Sequence, residues 1–364
     1  MDSPIVTILM SVFNGQAFLS EAVESILAQT FRDFEFLVVD DGSTDRTPEI
    51  LADYASRDER MRVLRHENKG RALSLNIGMN LAIGNYIARM DADDVAMPRR
   101  LEEQVDFMER HPEVGILGGA VELMTAAGRV IHTTRPPLED SEIRSLMLRC
   151  NPICHPAVMM RKDVALISSG YRKVFLDADD YDLWLRMSER SQLACLASPV
   201  LRYRIHSDQV SVRNLRHQTL CMLAARAAAS LRQRGKPDPL WNVEEITPEL
   251  LDTLGVKAAE IRQDLLDNYD YWMRVLGRNQ PDAVLRMIEE LLQWAPAESF
   301  DRSTVANAWL MAAGIHYRQG RHGKAMLSAG RAVLVRPIVA GRPVKRAFTR
   351  LSAAINGCLG ATRT

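Results

Sequence analysis

Three aspartates stand almost side by side at Asp91-Ala92-Asp93-Asp94, directly after the apolar run Tyr86-Ile87-Ala88-Arg89-Met90. A second acidic pair, Asp40-Asp41, follows the apolar residues 34–39 and runs into Gly42-Ser43. Carboxylates this close repel one another and are costly to take out of water unless a cation or hydrogen bonds compensate them. A divalent ion with oxygen ligands does so most cheaply, and Mg2+ or Mn2+ typically takes one or two carboxylates together with substrate phosphates. An Asx turn capping the following helix explains a lone Asp-x-Asp equally well, but it does not explain two acidic clusters at consecutive strand ends. A third acidic group, Asp177, Asp179, Asp180 and Asp182, precedes Leu183-Trp184-Leu185-Arg186-Met187. There, acids in a first helical turn also meet the helix dipole favourably, so capping and chemistry both fit.

These clusters need elements to hold them. Ile5-Val6-Thr7-Ile8-Leu9-Met10-Ser11-Val12 is a β-rich run, and residues 18–30 then repeat apolar side chains at helical spacing. Residues 34–39 predict a second strand, 47–56 a helix with Pro48 in its first turn, 61–65 a strand, 71–83 a helix and 86–90 a strand. A helix is expected over residues 98–108 and a strand over 157–160. Strands separated by helices of about ten residues imply βαβ units and a mainly parallel sheet covered on both faces. Ligands bind such sheets at the carboxyl ends of the strands, where the acidic clusters fall.

The ordered series of motifs resembles the family 2 glycosyltransferases. It begins with Val6-Thr7-Ile8-Leu9-Met10-Ser11-Val12-Phe13-Asn14, Ser25-Ile26-Leu27-Ala28-Gln29-Thr30-Phe31 and Val38-Val39-Asp40-Asp41-Gly42-Ser43-Thr44-Asp45. It continues through Asn68-Lys69-Gly70, Asn76, Ala82-Ile83-Gly84-Asn85-Tyr86-Ile87 and Asp91-Ala92-Asp93-Asp94, and closes with Asp179-Asp180-Tyr181-Asp182-Leu183-Trp184-Leu185-Arg186-Met187 and Tyr203-Arg204-Ile205-His206. The likeness covers residues 4–212.

The resemblance implies a GT-A fold, an α/β architecture with a Rossmann-like, mixed and mainly parallel sheet. It further implies metal-dependent, inverting sugar transfer from a nucleotide-diphosphate sugar, with UDP the expected carrier. By matching position, Ser11 and Phe13 would line the base pocket, Asp40 would hydrogen-bond the base, and Asp91 would contact ribose or metal. Asn14, Asp41, Asn76 and Ala92 would join the same nucleotide-sugar site. Asp93 would bind Mn2+ or Mg2+, with His206 as a further metal ligand. Asp180 matches the second carboxylate of the family's Glu-Asp pair and would be the general base; Asp179, standing where Glu is usual, would face the acceptor. His155 and Trp184 are also assigned to the acceptor side, with burial in the core as the alternative for each. The sequence departs from the family pattern at Leu75, where an Arg is common, and Arg71 is the substitute cation.

Beyond residue 212 the pattern is helical throughout, with Gly235-Lys236-Pro237-Asp238-Pro239 as the clearest linker. The expected organisation is a transferase domain over residues 1–212, a connecting helix and linker over 213–240, and a helical accessory domain over 241–364. Residues 309–337 resemble a tetratricopeptide repeat, with a degenerate copy at 271–296, and one or two repeats cannot bury a stable solenoid alone. From residue 343 a basic amphipathic helix is expected, either lying on an anionic membrane or covering the preceding repeat.

The chain has 364 residues with 46 basic and 46 acidic side chains, yet residues 302–364 carry 11 basic and no acidic ones. The apolar share of 47% and charged share of 25% exclude a disordered or collagenous chain, and no run approaches a membrane span. Residues 1–4 carry no basic region of a signal peptide, and five cysteines without a CxxC pair fit reduced thiols. A cytoplasmic enzyme is expected, peripheral to the inner face of the membrane if the basic tail binds there. Its partners would be a nucleotide-sugar donor and a saccharide or lipid-linked acceptor in surface polysaccharide synthesis, with no nucleic acid. The alternative is a catalytically inactive, transferase-like scaffold that works through its helical repeats.

Overall fold

The structure is a computed structural model that describes residues 3–206, 214–277, 280–294 and 300–336. Its centre is the parallel trio β1 (Val6–Val12), β2 (Phe34–Asp40) and β4 (Tyr86–Met90), with β3 (Met61–Arg65) added beside β2. Val6 of β1 stands opposite Phe34 on one side and Tyr86 on the other. All seven residues of β2 and all five of β4 are buried. These strands are covered on both faces, so they read as mainly apolar runs rather than alternating ones, with Glu35 and Arg89 as buried charged exceptions inside β2 and β4. Each fully buried Val, Ile, Leu or Met adds about 1.5–3 kcal/mol to the transfer from water, and Val6, Ile8, Leu9 and Met10 are all completely shielded. The crossovers are α1 (Leu19–Leu27), α2 (Thr47–Arg57) and α3 (Arg71–Leu81), close to the spans expected from periodicity.

Past β4 the sheet becomes mixed. The remaining elements of this part are β5 (Val95–Ala96), α4 (Arg100–Arg110), β6 (Val114–Thr125), β7 (Val130–Thr133), α5 (Asp140–Met147), β8 (Met159–Arg161), α6 (Lys162–Ile167), α7 (Asp179–Ser188) and β9 (Gln192–Ile205). The nine strands run in the order β3-β2-β1-β4-β8-β6-β9-β5, with β7 paired to β6. β8 is antiparallel to β4 and β6, whereas the long strands β6 and β9 are parallel to each other. β9 approaches β6 too closely for side chains at two positions. A Cβ on Gly118 would meet Cys195 Sγ at 2.8 Å, and one on Gly119 would meet Val200 at 2.7 Å.

The chain divides into two compact units, Met1–Ile205 with Cys221–Ile246, and His206–Leu220 with Thr247–Thr364. The helix Leu215–Gln233 contributes to both. In the second unit, Arg302–Arg318 and His322–Val335 form a helical hairpin turned by Gly320 at φ +71°. Ala306 and Leu310 pack there against Ala332. The amphipathic helix expected from residue 343 lies outside the described residues. Among the described residues no helix is long and apolar enough to cross a membrane.

Candidate active site

The loops after β1 and β2 interlock. Asn14, at φ +53°, accepts from Thr44 N at 2.8 Å, while its own amide donates to Ser43 Oγ at 2.9 Å. Asp40, fully buried at the end of β2, accepts from Ser43 N at 2.9 Å through Oδ1. Its Oδ2 has Arg65 Nε 3.3 Å away but no hydrogen bond among the described residues. Asp41 reaches the turn before α3 and accepts from Lys69 N at 2.8 Å and Gly70 N at 3.0 Å. Gly42 is required at φ +78°, because a Cβ there would meet Asn68 N at 2.6 Å. On this stiff platform Ser11 is partly exposed, and Phe13, 50% exposed, presents a large aromatic ring at a strand end.

Asp91, Asp93 and Asp94 converge beside the platform, each offering an oxygen within 4.8 Å of the others. Gly15 brings the β1 loop alongside, since a Cβ on it would lie 3.5 Å from Ala92 Cβ. Three buried arginines compensate the acidic loop. Arg89, completely shielded within β4, donates to Asp91 Oδ1 at 2.5 Å and also to Met90 O. Arg204, near the end of β9, donates its backbone amide to Asp94 Oδ1 at 2.8 Å and its Nε to Asp93 O at 2.7 Å. Arg100 of α4 braces Arg89 by donating to Arg89 O at 2.7 Å. Burial, then the neighbouring Asp93 and Asp91, push the Asp94 carboxyl well above the usual carboxylate range. Asp94 Oδ2 is buried with no hydrogen-bond partner among the described residues. An all-oxygen cluster containing an orphaned buried oxygen fits a hard divalent cation such as Mg2+ or Mn2+.

α7 carries the other acidic group. Asp179 is fully buried, and both its oxygens face Arg71, at 2.6 Å to Nη2 and 3.4 Å to Nε. Arg71 Nη2 also donates to Leu176 O at 3.1 Å. Burial would lower the Arg71 pKa, but Asp179, Asp91 and Asp180 together raise it. The cation that the Leu75 position lacks is thus present at Arg71, one turn earlier on α3, while Leu75 itself is buried. Asp180, partly exposed, accepts from Asn151 Nδ2 at 2.8 Å through Oδ2. Burial first, then the neighbouring Asp179 charge, raise its pKa to about 6 against the lowering effects of Arg71 and Asn151. A carboxylate with that pKa is mostly ionised at neutral pH and basic enough to accept a proton.

Several expected site residues lie beneath the site rather than on it. Trp184 is completely buried and meets His155 edge-on at 5.8 Å between ring centres, so it offers no face to a sugar. His155 is itself buried, with Nε2 2.8 Å from Tyr171 Oη, and burial holds its pKa well below the ordinary histidine value. Asn76 spends both ends of its amide on the Tyr171 backbone, at 2.7 and 2.8 Å. Asp179 is taken up by Arg71 rather than presented to an acceptor. His206 follows β9 directly at the start of the second unit and is not one of the three converging acids. Sequence reasoning gives Asp94 no role separate from its cluster and leaves out Arg89 and Asn151. A lone arginine inside the buried run of β4 was the available signal for Arg89; Asn151 carried none.

The "Glycosyl transferase family 2" profile matches residues 7–166. The chain is 34% identical over 211 residues to the amylovoran biosynthesis glycosyltransferase AmsE of Erwinia amylovora, an alignment covering 57% of this chain and 79% of AmsE. It is 30% identical over 207 residues to the O-antigen biosynthesis glycosyltransferase WbnJ of Escherichia coli, covering 56% and 80%. Among solved structures it is similar to residues 1–349 of S. aureus TarS, crystallised with UDP-GlcNAc, at a TM-score of 0.53 and 15% identity over 89% of this chain and 90% of that one. That likeness is one of fold. With a mixed, mainly parallel sheet, an acidic loop at its strand ends and these relatives, the chain belongs to glycosyl transferase family 2 and has the GT-A fold.

Proposed function

We propose that the protein is a metal-dependent, inverting glycosyltransferase. It would move a hexosyl or N-acetylhexosaminyl group from a nucleotide-diphosphate sugar, most simply a UDP-sugar, to a hydroxyl of a saccharide or lipid-linked saccharide in surface polysaccharide synthesis. The observation that carries this reading is the convergence of Asp91, Asp93 and Asp94 within 4.8 Å beside the Phe13 and Asp40 platform. The relatives in amylovoran and O-antigen biosynthesis support the pathway class.

In this mechanism Phe13 stacks on the base and Asp40 accepts from it. Asp93 and Asp94 would hold the cation, while Asp91, kept in place by Arg89, would reach the ribose or the metal. A bound Mn2+ or Mg2+ would supply positive charge against the negative charge that develops on the departing diphosphate. Arg71 adds fixed positive charge near Asp91 and Asp180. Asp180 takes the proton of the acceptor hydroxyl as that oxygen attacks the anomeric carbon from the face opposite the leaving group. An inactive scaffold would gain nothing from a carboxylate held near neutrality. The basic residues beyond residue 301 would place the enzyme against an anionic membrane surface on the cytoplasmic side.

The experiment is a panel of UDP-glucose, UDP-galactose, UDP-GlcNAc and GDP-mannose, each offered with Mn2+ or Mg2+ and followed by thermal shift and nucleotide release. The reading expects at least one donor to bind and be hydrolysed slowly. If none binds with either metal, the reading fails.

A further inference from the structure

The loop between α5 and β8 carries Asn151, whose carboxamide is fixed at both ends. Nδ2 donates to Asp180 Oδ2 at 2.8 Å, and Oδ1 accepts from Ile153 N at 3.3 Å. The second bond sets which way the amide points, because a flipped amide would turn its NH2 toward a backbone donor. The loop is held to α7 and to the helix Leu215–Gln233 by further bonds. Tyr181, the residue after Asp180, donates its hydroxyl to Met147 O, and Arg226 Nη1 donates to Leu148 O at 3.1 Å and Arg149 O at 3.0 Å. Asn151 is therefore a positioned donor rather than a mobile surface amide.

We infer that Asn151 is the positioning residue of the base: by occupying Oδ2 of Asp180 it orients the carboxylate so that Oδ1 is the oxygen that accepts the acceptor's proton, and it favours the ionised form. This rests on the reading of Asp180 as general base. A neutral donor is the suitable type for the task. A cation in its place would make the base too weak, and a second carboxylate would hold a proton between the pair. The other groups around Asp180 are Asp179 on its own helix, Arg71 on α3, Tyr171 in the segment before α7, and Cys154 in the same loop as Asn151. Among these, Arg71 works in the same direction as Asn151 and Asp179 in the opposite one.

The test compares pH profiles of nucleotide release for the wild type, Asn151→Ala, Asn151→Asp and Asp180→Asn. It uses whichever of UDP-glucose, UDP-galactose, UDP-GlcNAc and GDP-mannose the wild type turns over, and thermal shift checks folding. Losing one hydrogen bond to the charged form raises the acid limb of Asn151→Ala by about one pH unit. Its turnover then drops about ninefold at pH 5, about fivefold at pH 6 and little at pH 8, with the donor KM unchanged. Asn151→Asp, which keeps the shape, moves the limb further in the same direction. An unshifted limb in both variants, with any loss equal at every pH, overturns the inference and leaves Asn151 a structural residue. If Asp180→Asn turns over like the wild type, the general-base reading itself has failed, a result distinct from an unshifted limb.

Discussion

The pH dependence of turnover follows directly from the surroundings of Asp180. Its carboxyl is pushed up to about 6 by burial and by Asp179, and as a base it works only when ionised. For a pKa of about 6, the ionised share is about 90% at pH 7, about half at pH 6 and about 10% at pH 5. Turnover under saturating donor and metal should therefore rise about tenfold between pH 5 and 7 and then flatten. An exposed aspartate, titrating near 3.9, would give an almost flat profile over the same range. The assay is initial-rate nucleotide release in overlapping buffers at constant ionic strength, with donor binding measured in parallel so that loss of metal at low pH is not counted as loss of base. A profile flat from pH 5 to 8, or one that falls as pH rises through 6, would refute the role assigned to Asp180.

Two further outcomes come from other parts of the chain. Asp182 is completely buried between Arg172 and Arg186, and removing it in Asp182→Ala leaves Arg186 buried without its carboxylate and Arg172 with Asp238 alone, costing about 3–5 kcal/mol in urea unfolding. Burial alone would raise the Asp182 pKa, but Arg186 and Arg172 outweigh it and hold it below the ordinary value. A depressed folded-state pKa means that its contribution is present above about pH 4 and disappears as pH falls further, so the wild type should lose more stability than the variant below that point. Deleting residues 342–364, which are basic and contain no acid, should weaken cosedimentation with anionic phosphatidylserine vesicles and leave neutral vesicles unaffected; unchanged cosedimentation would favour an internal covering role.

The first half of the sheet was legible because its strands are short, mostly apolar and separated by helices of about ten residues. The acidic loops mark where β2 and β4 end. In the second half only β8 was legible, as the strand expected over 157–160, and the long strands were missed for a physical reason. β6 carries Gly118 and Gly119, where a side chain would collide with β9, and β9 passes through Ser198-Pro199 with shifts in register. Neither shows the period-two pattern of a half-exposed strand. In the site, residue type pointed to the acidic loop, whose three carboxylates converge, and to Asp180 at the start of α7. Depth was what sequence could not show: Trp184, His155, Asn76 and Asp179 match motif positions but are packed or bonded below the surface. Asp94 belongs to the acidic cluster visible in sequence, and what the structure adds is its buried Oδ2, without a hydrogen-bond partner among the described residues.

The most direct test separates the two carboxylate roles in one experiment. Donor binding and sugar transfer are measured side by side, with Mn2+ present, for the wild type, Asp93→Ala and Asp180→Asn. Asp93→Ala should lose donor binding along with transfer, whereas Asp180→Asn should bind donor as the wild type does and transfer at about 1% of its rate or less. Wild-type binding and transfer in both variants would contradict the account.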